Sequence, residues 1–431
     1  MTLALLLAFG IGYVLIALEH TVNLNKTATA LITGVVCWTI YALMAPSIEP
    51  VVDHLRHHLS DIAEILFFLL AAMTVVELID AHDGFALITD RIASRNTRAL
   101  LWIISLLAFF LSALLDNLTT AIVMVSVLRK LVSNPEQRLT MAGMVIVASN
   151  AGGAWSPIGD VTTTMLWIGG QISASSISQT LFLPSLAALL VPLTILTYQY
   201  KASEQAVRTG VSRGISRPYI TPVARRDRRM MLAIGLGGML YVPIFKMVTH
   251  LPPYMGMLLV LGAIWVASEV IHKDKDEAER RTLTAAHALS RIDSPSILFF
   301  LGILLAVGSL ESTGVLHSLA GSLDQVIGNT NLIVLLIGVA SAVVDNVPIV
   351  AAAMGMYDLT TYPIDSPLWS FLAYCAGTGG SLLVIGSAAG VAVMGLENIT
   401  FGWYLRRISW LALLGYLAGA GVYLAQRMFL G

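Results

Sequence analysis

Asp116, Asn117, Thr119 and Thr120 sit in the run LLDNLTTA, residues 114–121, with apolar sequence on both sides. A carboxylate in so apolar a setting is costly to keep charged unless a cation or a donor compensates. Such a group holds a proton or a cation, and occupancy by one disfavours the other. Neighbouring amide and hydroxyl oxygens suit a small hard cation. A second run, SNAGGAWSPIGDVTTT at 149–164, offers Ser149, Asn150, Asp160, Thr162 and Thr163 around Gly152, Gly153 and Pro157. The glycines permit non-helical dihedrals and the proline removes a donor, so a helix is interrupted here. Carbonyls exposed at the end of a half-helix favour a cation. Asp160 can alternatively cap the following half-helix. The second half of the chain carries Asp345-Asn346-Val347-Pro348 and the run GTGGSLLVIGSAAG, 377–390, with Thr378, Ser381 and Ser387. Small hydroxyl residues also serve ordinary helix packing in membranes, and Asp-Asn pairs also cap helices.

The elements that position these groups are membrane helices. Only 12% of the 431 residues are charged, 57% are hydrophobic, and the mean hydropathy is +0.80. A soluble domain carries about twice that charged fraction. Apolar stretches near the bilayer-crossing length recur at 2–18, 28–46, 62–81, 181–199, 230–247, 252–270, 294–312 and 403–426. Four less regular segments, 98–131, 139–170, 330–357 and 369–395, contain the polar runs. Non-helical backbone at membrane depth must be buried in protein or line a wet cavity, which makes these breaks the candidate sites. A net charge of −1 provides no basic field for a nucleic acid. Cys37 and Cys375 lie in or beside apolar segments and do not read as a disulfide or a metal site. No nucleotide fingerprint occurs, and no cofactor is expected. The opening MTLALLLAFGIGYVLIAL lacks a basic leader and a cleavage pattern, so a first span is expected.

Basic residues orient the chain. Segment 201–229 holds Lys201, Arg208, Arg213, Arg217, Arg225, Arg226, Arg228 and Arg229, and 271–293 holds Lys273, Lys275, Arg280, Arg281 and Arg291. Both are cytoplasmic by the positive-inside rule. Segment 98–131 has Arg91, Arg95 and Arg98 before it and Arg129, Lys130 and Arg138 after it, so both its ends belong inside. Segment 330–357 lies between 313–329 and 358–368, which hold no Lys or Arg, so both its ends belong outside. Each reads as a re-entrant hairpin. With 139–170 and 369–395 crossing as broken helices, the count is ten crossings and two opposed hairpins. An internal repeat agrees: EILFFLLAAMTVVEL at 64–78 matches SILFFLGILLAVGSL at 296–310, Asp116-Asn117 matches Asp345-Asn346, and SNAGGAWSPIGD at 149–160 resembles AGTGGSLLVIGS at 376–387. The expected fold is an all-α polytopic membrane protein built as an inverted repeat with two re-entrant hairpins and two broken transmembrane helices. Its parts are 1–200, a basic linker at 201–229, and 230–431. Ser387 stands where the first half has Asp160, so the principal ion site belongs to the first half.

Other polar residues read differently. Glu19, Glu64, Glu77 and Glu311 fall near ends of spans, and Glu64 and Glu77 are also candidates for a proton path. His54, His57 and His58 have no recognised metal-ligand spacing and read as part of a surface amphipathic stretch.

DNLTTA at 116–121, SNAGGAWSPIGDVTTTMLW at 149–167, DNVP at 345–348, the glycine-rich run at 377–390 and NLNKTATALITG at 23–34 together resemble the NhaD family of sodium/proton antiporters. That family lies in a superfamily with arsenite, citrate and dicarboxylate carriers. The resemblance implies a bacterial inner-membrane antiporter, not an enzyme, that expels Na+ and often Li+ in exchange for H+. It implies a scaffold and a mobile transport domain in a homodimer within the lipid bilayer. It favours Asp116, Asn117, Asn150, Asp160, Thr162, Thr163, Asp345 and Asn346 as ion-pathway residues, with Asp116 and Asp160 as ligands of the transported Na+. The nearest alternative is an organic-anion or oxyanion carrier, which prefers Arg or Lys at the breaks. None occurs within 139–170 or 330–395. An ion channel and an intramembrane aspartyl protease are weaker alternatives.

Overall fold

Asn25, Asn96 and Asn134 each turn a side-chain oxygen onto the first free amides of an apolar run, and so fix where three helices begin. The computed structural model describes residues 1–17, 19, 24–89, 92, 96–199, 224–273, 276, 282–343 and 345–430. Twenty helices and no strand occur among the described residues. They are α1 (Thr2–Ala17), α2 (Lys26–Met44), α3 (Glu49–Ala81), α4 (Ala86–Thr89), α5 (Thr97–Leu115), α6 (Asn117–Leu131) and α7 (Pro135–Gly153). Next come α8 (Val161–Ile168), α9 (Ala174–Gln199), α10 (Arg225–Thr249), α11 (Pro253–Ile271), α12 (Ala285–Arg291) and α13 (Ser294–Ser312). The chain closes with α14 (Val315–Ile327), α15 (Thr330–Ala340), α16 (Asn346–Met356), α17 (Pro367–Gly379), α18 (Ala388–Glu397), α19 (Phe401–Arg407) and α20 (Ser409–Leu430).

The helices pack in two groups. One holds α1, α2, α3, α10, α11 and α13; the other holds the paired helices α5–α6 and α15–α16, the broken pairs α7–α8 and α17–α18, and α9 and α20. Each half of the chain thus supplies the same sequence of parts, and the correspondence extends to single atoms. Ser112 donates to the Ser149 carbonyl (2.6 Å), and Ser341, its counterpart, donates to the Ala376 carbonyl (3.1 Å). A Cβ on Gly152 would run into the Phe109 carbonyl, and one on Gly379 would run into the Gly338 carbonyl. Close backbone approach of hairpin to broken helix therefore requires glycine at both places. Asp160 (φ −146°, ψ 149°) and Ser387 (φ −146°, ψ 153°) begin their half-helices in nearly the same conformation. The inverted repeat is a repeat of hydrogen bonds and backbone angles, not of hydropathy alone.

Seven described helices are long and apolar enough to cross a membrane, or nine if two bent pairs count as single spans. Six of the seven, α2, α3, α9, α10, α11 and α13, and the bent pair α19–α20 fall on expected crossings. The other three of the ten are α1 and the broken pairs α7–α8 and α17–α18, while α5 and the bent pair α14–α15 belong to the hairpins and their flank. The hairpin arms differ. The α15 and α16 arms have 11 residues each, about 16 Å, or half the hydrocarbon thickness. The α5 arm has 19 residues, enough to cross alone, yet it turns at Asp116 into the 15-residue α6.

The His54–His58 stretch lies within α3, which runs unbroken for 33 residues from Glu49, with His54 and His57 exposed. Two readings of the connections need correction. Segment 313–329 is not a plain connection; it contains α14, amphipathic and bent by 115° from α15, with Val315, Leu316 and Ala320 on its buried side. Arg225–Arg229, assigned to the linker, form the first turn of α10, since arginine is a good helix former. The remainder of that linker, 201–223, lies outside the described residues, as do Arg91, Arg95, Lys275, Arg280 and Arg281.

Candidate functional site

Asp116 is both the end of α5 and the cap of α6, and its backbone has φ 90° and ψ 159°. That region is essentially reserved for glycine, so a side chain is held there against local preference, a pattern that clusters at functional sites. The carboxylate is accounted for within one turn: Oδ1 accepts from the Thr119 amide and Oδ2 from the Thr119 hydroxyl, each at 2.8 Å. Thr119→Val keeps the first bond and removes the second. A hydrogen bond to a charged group contributes about 1.5–3 kcal/mol, so the half-saturating cation concentration is expected to shift roughly tenfold while the protein stays folded. Cation titrations of reconstituted T119V check this.

Asp160 is 2% exposed. It stands at the cap position of α8 but makes no side-chain cap bond. Its Oδ2 instead accepts from the Thr162 hydroxyl at 2.9 Å and from the Asn346 amide at 3.1 Å. The tip of the second hairpin therefore reaches the break of the first half. A parallel chain runs the other way: Asn117 donates to the Asn150 oxygen, and the Asn150 amide donates to Ser387, both at 3.0 Å. Both hairpin tips and both breaks meet through three of these side-chain bonds, those of Asn346 with Asp160, Asn117 with Asn150, and Asn150 with Ser387. Gly377 holds the place equivalent to Asn150, and a Cβ there would lie 3.4 Å from the Asp160 carboxylate. Asp160 therefore has a bare glycine, packed against Ala154, where its mirror residue Ser387 has the Asn150 amide.

Asp116, Asn117, Thr119 and Asp160 line one small cavity of ≈ 60 Å³, closed by Phe68 and Phe300. That volume corresponds to about two water molecules. Among its lining residues there is no Lys or Arg. Asp345 is elsewhere: it lines a neighbouring ≈ 80 Å³ cavity with Ser387, Glu19 and Lys26. Its Oδ1 accepts from the Val347 amide, and Oδ2 lies 3.7 Å from the Lys26 ammonium.

Four of the other sequence candidates donate to backbone carbonyls. Ser149 and Thr378 donate to carbonyls one turn back on their own helices. Thr163 donates to the Asp160 carbonyl, Ser381 to that of Thr378. Thr120 is fully buried and its hydroxyl has no hydrogen-bond partner.

Three features escaped the sequence reading. Lys26, present in the run NLNKTATALITG, has no role of its own in the sequence pattern. Glu397, with a side chain 1% exposed, accepts from Arg129 at 2.6 Å and Arg138 at 2.7 Å, joining α6, α7 and α18. The signal for it was present, an acid at the end of an apolar run facing the Arg129 and Arg138 cluster. Third, a ≈ 630 Å³ cavity at the opposite end is lined by His54, His57, His58, Asp61, Glu64 and Glu311. Glu64 lines this cavity, whereas Glu77 pairs with Arg291 at 2.9 Å. No cluster of His, Cys, Asp and Glu suited to holding a metal occurs among the described residues.

The chain matches the family model described as citrate transporter over residues 13–377. It is 50% identical over 98% of its length to sodium/proton antiporter 1 of Arabidopsis thaliana, covering 72% of that protein. It is 31% identical to the Na(+)/H(+) antiporter NhaD of Vibrio cholerae, over 98% of this chain and 91% of that one. The crystal structure of the YdaH transporter of Alcanivorax borkumensis shares the fold, with a TM-score of 0.58 at 12% identity and 90% coverage of both chains. With its paired hairpins, broken helices and buried aspartates, this multi-pass membrane protein belongs to the NhaD-type sodium/proton antiporters within the citrate-transporter family.

Proposed function

We propose that this chain exchanges Na+ for protons by alternating access, with Asp116 and Asp160 as the groups that hold either ion. The observation that carries this is the shared cavity: two carboxylates, oxygen-bearing neighbours and no fixed cation among its lining residues. Loss of protons to the cytoplasm frees the carboxylates, Na+ binds, and the group of hairpins and broken helices moves against the other six helices. Outside, protons displace Na+ and reset the carrier. The two acids titrate as a pair, so neither owns a particular proton. Asn117 and Asn346, from the two hairpin tips, and Asn150, from the broken helix α7, support the cavity.

Li+, with the same charge and a smaller radius, is a second substrate. The Lys and Arg of 201–229 and 271–293 support a cytoplasmic location for both connections, and the likeness to the antiporter of Vibrio cholerae supports a bacterial inner membrane. Exposed Ile32, Val35, Ile244, Val266 and Val270 meet the lipid bilayer. The repeats 1–200 and 230–431 form one subunit of a homodimer, which crosslinking in membranes checks.

Reconstitution into proteoliposomes with an internal pH dye tests the function. Adding NaCl or LiCl should move protons; KCl and citrate should not. Proton flux driven by citrate, with none driven by Na+, would replace this reading with the organic-anion carrier. Because protons and Na+ compete, raising pH deprotonates the carboxylates and should lower the half-saturating Na+ concentration. A half-saturating concentration independent of pH overturns the competition.

A further inference from the structure

The two aspartates related by the repeat, Asp116 and Asp345, have different partners, and the cause is one residue. Thr119 gives Asp116 an amide and a hydroxyl, while the equivalent position in the second half is Pro348, which has neither. What Asp345 has instead is Lys26, at 3.7 Å, with the pair largely shielded: side-chain exposures are 27% and 18%. The ammonium also lies 4.7 Å above the Phe299 ring, and the Lys26 amide donates to Glu19. Both charged groups line the ≈ 80 Å³ cavity with Ser387, the residue that mirrors Asp160. This cavity is thus the second-half counterpart of the one shared by Asp116 and Asp160.

We infer that Asp345 and Ser387 form a latent second cation site whose resident cation is the tethered ammonium of Lys26. The inference rests on the antiport reading of the first cavity. Lys26 belongs to α2, in the group with α13, whereas Asp345 is at the hairpin tip in the other group. The bridge therefore spans the two groups. It keeps Na+ off Asp345 in this conformation, and it must break when the groups move apart. Lys26 is then a positioning residue for the exchange: one half binds a free ion and the other a built-in one.

The test is equilibrium binding of radioactive 22Na+ to purified full-length protein at pH 8.5. K26Q should bind one more Na+ per chain than the wild type, K26R the same number as the wild type, and K26Q/D345N should lose the extra ion. D345N alone should bind as many as the wild type, because Lys26 already occupies that carboxylate. An unchanged number in well-folded K26Q overturns the inference. If K26Q does not fold, D345N decides: loss of one bound Na+ means that Asp345 is an ordinary ligand and overturns it. Absence of Na+ binding by the wild type would instead strike the antiport reading, which separates the two failures.

Discussion

D160N should abolish Na+-dependent proton flux while leaving the protein folded. The asparagine oxygen can still accept from Thr162 and Asn346, the two side chains now bonded to Oδ2. What disappears is the charge. Removing one partner of a buried ion contact costs about 3–5 kcal/mol, or roughly two to four orders of magnitude in cation affinity. D116N should do the same: the asparagine oxygen still accepts from the Thr119 amide, and its NH2 donates to the Thr119 hydroxyl, which accepts as well as donates. Proteoliposome flux and melting temperature, measured on the same preparations, check both halves of the expectation. Near-normal exchange in both variants would sink the assignment of the site, and a collapsed melting temperature would mean that Asp160 is structural.

E397Q should have the largest effect on stability of any conservative change away from the ion cavity. Glu397 ties α18 to both Arg129 and Arg138. Glutamine offers one acceptor and turns its amide toward a guanidinium, which leaves at least one arginine unmatched. The arginines are 36% and 25% exposed, so water recovers part of the loss. The cost should therefore fall somewhat below the buried-pair figure, at about 2–4 kcal/mol. A lowered melting temperature in detergent, with cation affinity little changed in the surviving fraction, is the expected result. A melting temperature equal to the wild type would show that the clamp is electrostatically idle.

Charge and repetition carried most of the architecture in the sequence. Asp116 was legible because an acid between apolar runs, with basic residues at both ends, has few alternatives to a hairpin tip. Gly152 and Gly379 were legible as breaks, and the structure adds that each glycine admits a particular carbonyl. What stayed hidden depends on distance in space. Nothing at positions 26 and 345 announces a bridge across more than three hundred intervening residues. Likewise, the sequence cannot tell that Asn346 bonds to Asp160 in the other half, whereas the pairing of Asp160 with Thr162 is local. Helix α14 was missed because its polar face reads as loop when only hydropathy is weighed.

Asp160 and Ser387 share a backbone conformation to within a few degrees. If each half of such a molecule adopts the shape now held by the other, the carrier faces the opposite side with its scaffold energy unchanged. The free-energy difference between the two facing states then comes from the places where the halves differ chemically. Around the ion cavity those include aspartate against serine, threonine against proline at 119 and 348, and asparagine against glycine at 150 and 377. Since each 1.4 kcal/mol changes the ratio of the two states about tenfold, three substitutions are enough to set the resting direction of the carrier.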